Sequence, residues 1–112
     1  MTPEGVDLFC RGLPAATAQI QWEVDQVYKV GGKMFAVLGP TGTLSFKVND
    51  IAYEMLVETG QARAAPYMAR AKWVLLDEVA AMADEDLQSY LVEAHGIIAA
   101  RLPKKLQAQL GL

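Results

Sequence analysis

The sequence predicts an α+β domain: a two-layer α/β sandwich whose helices cover one face of a largely antiparallel sheet. Apolar residues recur at helical spacing near the N-terminus, then change between Thr17 and Val48 to short runs rich in Val, Ile, Phe, Tyr and Trp, broken by glycine turns. A helix, a strand and a long helix follow in that order. At 112 residues and 53% hydrophobic, the chain holds enough apolar material for one core, and no tract reads as a linker, so a single domain spanning 1–112 is expected.

Thr2, Pro3 and Glu4 open the first helix, with a capping hydroxyl, a proline tolerated at the first position and an early acid. Val6, Phe9, Cys10 and Leu13 form its buried stripe with Leu8 beside them, and Pro14 ends it. Gly31-Gly32, set between Val27–Val30 and Lys33–Leu38, supplies the positive φ angles of a two-residue hairpin turn. After the Gly39–Gly42 turn, Leu44, Phe46 and Val48 alternate with Ser45 and Lys47, which makes one face of that strand apolar and the other wet. Asn49 or Asp50 caps a second helix in which Ala52, Met55, Leu56 and Thr59 share a side and which Gly60 ends. The chain loops through Ala64–Tyr67 and returns as a strand, Lys72–Asp77. Asp84, Glu85 and Asp86 start the last long helix, and Leu87, Leu91, Ala94 and Ile98 carry its stripe. Pro103 breaks it, leaving 104–112 as a short final turn or tail.

Composition narrows the function classes. A net charge of −3 argues against coating nucleic acid through bulk charge, so any anion-binding surface must be local. The lone Cys10 cannot form an internal disulfide and no secretory leader pattern opens the chain, so the reducing cytoplasm is the expected location. Every apolar run is interrupted before membrane-spanning length, and no membrane partner is expected.

The residues that could carry chemistry each have a structural reading that accounts for them. His95 is the single histidine, with no ligand-spaced partners, and reads as a satisfied or surface side chain. Cys10 lies on an apolar stripe, where a small core residue is expected rather than a thiolate nucleophile. The glycine pairs lie between strands and do not open a helix as a phosphate loop would. Asp84, Glu85 and Asp86 suit capping and the positive end of a helix dipole. No catalytic set, metal site or cofactor is expected.

The charge layout offers more. Between Gln26 and Asn49 the charged side chains are Lys29, Lys33 and Lys47, and between Gln61 and Leu76 they are Arg63, Arg70 and Lys72, whereas acids gather mostly on helices. Strand parity points Lys47 away from the core, where Lys29, Lys33 and Lys72 can join it beside Tyr28, Phe35 or Trp73. Cations interleaved with rings can hold nucleic acid; lysines also keep an open sheet face soluble and discourage edge pairing.

Tyr28 to Ala36, then Leu44 to Val48, then Ala65-Pro66-Tyr67 with Trp73-Val74, and finally Ser89–Val92 ahead of Leu102-Pro103 together resemble the MmcQ/YjbR family over most of the chain. That resemblance implies a CyaY-like two-layer fold and a DNA-binding role through a double-wing arrangement of hairpins. The chain departs from the family before Trp73, where Ala69-Arg70-Ala71-Lys72 stands for a common Asn-Lys-basic-His run: Arg70 preserves one charge and the histidine is lost. Two functions of different kind follow: non-catalytic binding of DNA or another polyanion by Lys29, Lys33, Lys47, Arg70 and Lys72, or a protein-interaction module that receives a protein partner on an apolar surface.

Overall fold

The computed structural model describes residues 1–112. Helix α1 (Pro3–Arg11) precedes four consecutive strands, β1 (Ala16–Gln21), β2 (Asp25–Val30), β3 (Lys33–Leu38) and β4 (Leu44–Lys47). Helix α2 (Asp50–Glu58), the two-residue strand β5 (Arg63–Ala64), strand β6 (Trp73–Leu76), the long helix α3 (Asp84–Ala100) and the short helix α4 (Lys104–Gln109) complete the chain. The sheet is six-stranded and antiparallel throughout, in the order β1-β2-β3-β4-β6-β5. The helices pack on one side of it, so the expected α+β sandwich is the fold.

Local chemistry accounts for the boundaries. The Thr2 hydroxyl accepts from the Gly5 amide at 3.0 Å with Pro3 in the first turn of α1, and the Asn49 side-chain Oδ1 accepts from the Ala52 amide at 2.7 Å to start α2. Asn49 also donates through its side-chain nitrogen to Glu93 on α3. Helix α3 begins at Asp84 as expected, but its cap position is Ala83 and makes no side-chain cap bond. The acids of its first turn therefore act through the helix dipole and not as caps. Gly31 and Gly32 take φ of 58° and 80°, the two-residue hairpin turn expected of them. The segment after Pro103 is ordered as α4, whose Gln107 amide donates to the Leu102 carbonyl at 2.8 Å.

The main core lies between sheet and helices. Val6 and Cys10 of α1, Leu56 of α2 and Leu87, Leu91 and Ala94 of α3 meet the inward residues Tyr28, Ala36, Phe46 and Val74. Leu8, expected beside the α1 stripe, is instead 72% exposed. A break of register between Tyr28 and Lys29 pairs Tyr28 with Ala36 and Lys29 with Met34, leaving Phe35 as the extra residue of a bulge. Phe35 and Ala36 are thus both buried in the helix-side core, and Phe35 meets the His95 ring edge-on at 5.3 Å between centroids. The opposite sheet face is not simply wet. Val27, Val37, Ala65 and Trp73 form a second cluster there, with Met34, Met68 and Leu75 packed against it, roofed by the 65–72 segment and its short 3₁₀ turn at Ala69–Ala71.

Candidate nucleic-acid interface

Antiparallel pairing sorts the charges by end. Gln21 pairs with Asp25, Leu38 with Leu44, and Leu44 with Leu76, so the turns after β1, β3 and β6 share one end of the sheet with the acidic start of α3. Ala16 pairs with Val30, Val30 with Lys33, and Lys47 with Trp73, which places the Gly31–Gly32 turn, the exit of β4 and the 65–72 loop at the other. Helix α3 joins the two ends: its 17 residues span about 24 Å at 1.5 Å per residue. Leu102, just past it, lies against Gly31. The first end carries Glu23, Asp25, Asp77, Glu78, Asp84, Glu85 and Asp86; the second carries Lys29, Lys33, Lys47, Arg70, Lys72, Arg101, Lys104 and Lys105, with Asp50 and the Asn49-bonded Glu93 as nearby acids.

Of the ten Lys and Arg side chains, Arg11 pairs with Asp7 at 2.9 Å and Arg63 with Asp77 at 2.6 Å, and the other eight have no carboxylate within ion-pair distance. Lys33 and Arg70 are exposed, whereas Lys29 and Lys72 are half-buried. Lys72 adopts a left-handed conformation at the end of the 3₁₀ turn and holds its ammonium 4.8 Å from the Tyr53 ring centroid, a cation–π contact with α2.

Lys47 corrects the expectation that it faces solvent. Its parity is as expected, away from the helix-side core, but the 65–72 loop closes over it. It is 4% exposed and its ammonium donates to the Ala71 carbonyl. Burial first, and then the Arg101 and Lys72 cations, hold that ammonium below the usual lysine value against the opposing pull of Asp50. Lys47 thus fastens the loop that carries Arg70 and Lys72. The expected aromatic partners also move: Tyr28 and Phe35 are fully buried on the helix side, and Trp73 is 5% exposed beneath the loop. Tyr28 instead donates to Asp7 at 2.7 Å, and burial and that carboxylate together raise its phenol well above the ordinary tyrosine value.

Two residues join this end that the charge pattern did not single out. Tyr67 is fully exposed at the crest of the loop, with φ of 66°, and is the ring available for stacking there. Arg101, the residue that caps the C-terminal end of α3, lines one cleft with Lys33 and the adjoining one with Lys47, so it links the hairpin turn to the exit of β4. Its signal in the sequence was the run Arg101, Lys104, Lys105 about Pro103, which lies outside the strand layer.

The residues read as structural have structural occupations. The His95 Nε2–H donates to the Pro14 carbonyl at 2.7 Å, which fixes the tautomer, since a carbonyl can only accept. Cys10 is buried, and burial pushes its thiol up to about 12, with Asp7 adding to the effect. No helix is long and apolar enough to cross a membrane.

Residues 11–97 match the YjbR family model, a family of no known enzyme class. Among solved structures, the chain resembles the Deinococcus radiodurans protein DR2400, which carries the domain DUF419, with a TM-score of 0.85 and 24% identity over 99% of this chain and 88% of that one. This likeness speaks for the fold. No curated protein matches the sequence.

Proposed function

The chain belongs to the YjbR family, and from that premise we propose that it is a non-catalytic protein that binds DNA through the basic end of its sheet. Lys29, Lys33, Arg70, Lys72 and Arg101 take the phosphates, and Tyr67 supplies a ring against which a base or sugar can rest. Lys47 adds to the positive field and anchors the loop without touching the ligand. The observation that carries the reading is that these cations, far apart in sequence, lie at one end with no carboxylate within ion-pair distance of any of them, in a protein whose net charge is −3. Phosphate contacts displace counterions, so affinity should fall by about a hundredfold between 50 and 200 mM salt for roughly four contacts. Fluorescence anisotropy with a labelled duplex and a labelled single strand at both salt concentrations measures this. No binding at low salt, or binding indifferent to salt, would remove the proposal.

One observation favours a second reading, a protein-docking module. The β1–β2 hairpin exposes Ile20 at the end of β1 and Trp22 and Val24 in its turn, at 59%, 59% and 56%, with Trp22 and Glu23 held at φ of 50° and 70°. Glu23 and Asp25 flank this apolar tip, which makes it a poor match for phosphate and a better one for a protein surface. A photocrosslinker at position 22 tests it: a discrete protein adduct supports docking there, and its absence counts against it.

A further inference from the structure

Between the start of β3, the start of β6 and the C-terminal end of α3 lies a cleft of ≈ 400 Å³, within the range of sites that hold small organic ligands. Its walls are apolar: Met34 and Trp73 from the sheet, Ile98 and Leu102 from the helix side. Lys33 and Arg101 stand in the same lining, and neither pairs with a carboxylate. Apolar walls open to water are unfavourable by about 25 cal/mol for each Å² they leave wetted, and two unpaired cations beside them exclude a purely apolar occupant as the best fit. The chemistry that satisfies both is a compact aromatic or aliphatic body bearing one acidic group. Arginine favours that group in particular, because its planar donors meet carboxylate or phosphate oxygens in pairs.

We propose that this cleft is a binding site for a small amphipathic organic anion, with the apolar body against Trp73, Ile98 and Leu102 and the carboxylate or phosphate between Lys33 and Arg101. The site shares its two cations with the DNA-binding surface but does not rest on that reading. The shared end implies competition: a ligand seated there neutralises Lys33 and Arg101 and should weaken DNA binding.

The chain has two tryptophans, so Trp22→Phe leaves Trp73, in the wall of the cleft, as sole reporter. Titrating that variant with 2-naphthoate should quench or shift the Trp73 emission to saturation, with half-saturation near or below about 1 mM. The neutral 2-naphthalenemethanol and inorganic phosphate should each bind at least about tenfold more weakly, as should naphthoate to a variant also carrying Lys33→Gln and Arg101→Gln. Filling the cleft from its exposed edge with Ala71→Phe should abolish the naphthoate response. Titrating the unmodified protein with duplex alongside keeps the two readings separable, since saturable naphthoate binding without DNA binding, or the reverse, marks the failure of one alone. Should Ala71→Phe unfold the protein, the Lys33→Gln, Arg101→Gln comparison still decides the matter. Absence of saturable quenching, equal affinity for acid and alcohol, or indifference to both glutamines would overturn the proposal.

Discussion

The two ends of the sheet differ less in how many charges they carry than in what those charges are occupied with. At the acidic end, Asp84, Glu85 and Asp86 sit in the first turn of α3, where the helix dipole favours them, and Asp77 holds Arg63. At the basic end, Lys47 is committed to the Ala71 carbonyl and Lys72 to the Tyr53 ring, while Lys33, Arg70 and Arg101 have no ion-pair partner within the fold. Charges that fold satisfies internally are poor ligand contacts. Those left over are available to something outside.

The sharpest way to break this contrast is to reverse charge at each end in turn. Lys33→Glu with Arg101→Glu should lower duplex affinity at 50 mM salt by about a hundredfold or more, since two phosphate contacts become repulsions. Glu85→Lys with Asp86→Lys should leave binding unchanged or tighten it, at an expense of about 0.3–1 kcal/mol in stability per site through the helix dipole. Equal losses at both ends would mean that position in the fold is irrelevant.

Next in size is the turn that presents Lys33. A Cβ at Gly31 would lie 2.5 Å from Leu102 Cδ1 at φ of 58°, whereas one at Gly32 meets nothing within 4 Å. Gly31→Ala should therefore cost about 2–3 kcal/mol from left-handed strain plus displacement of Leu102, and Gly32→Ala about 1 kcal/mol, read by urea unfolding. Similar values at both positions would show that Leu102 gives way freely and that the basic end is soft.

The interior between the ends responds to alkali. The Cys10 thiol, raised from 9.0 to about 12, and the raised Tyr28 phenol both keep protons in the folded state that the unfolded chain gives up. Their contribution is complete below pH 9 and is lost as pH rises toward the folded values, so stability should fall above pH 9. Lys47, with its value lowered, works in the opposite sense just below its ordinary 10.5. Cys10→Ala should make the alkaline limb of a stability–pH curve shallower; an unchanged limb would contradict the assignment.

The smallest effect is expected from the exposed Arg63–Asp77 pair. Asp77→Asn should change stability by no more than about 1 kcal/mol and leave DNA affinity nearly unaltered, because Arg63 lies with the acidic end.

Much of this architecture was legible in the chain. The Gly31-Gly32 hairpin, the alternation of Leu44, Phe46 and Val48, and the capping of α1 and α2 are decided by neighbours in sequence, and each appears where local chemistry puts it. Lys47 shows the limit. Its parity was readable, but the loop that covers it holds it through Ala71, 24 residues away, so burial could not be inferred from alternation. Phe35 shows another, because one extra residue in a bulge turns a side chain from the outer face to the inner one. Arg101 reaches Lys33 through the packing of a whole helix across the sheet, and nothing local announces that meeting.

The most direct test is a map of backbone amide shifts on titrating a short duplex into labelled protein at low salt. Perturbations should concentrate at residues 29–33, 67–72 and 101–105, with 20–25 and 84–86 undisturbed. Shifts centred on the acidic end or on the Trp22 hairpin, or none at all, would contradict it.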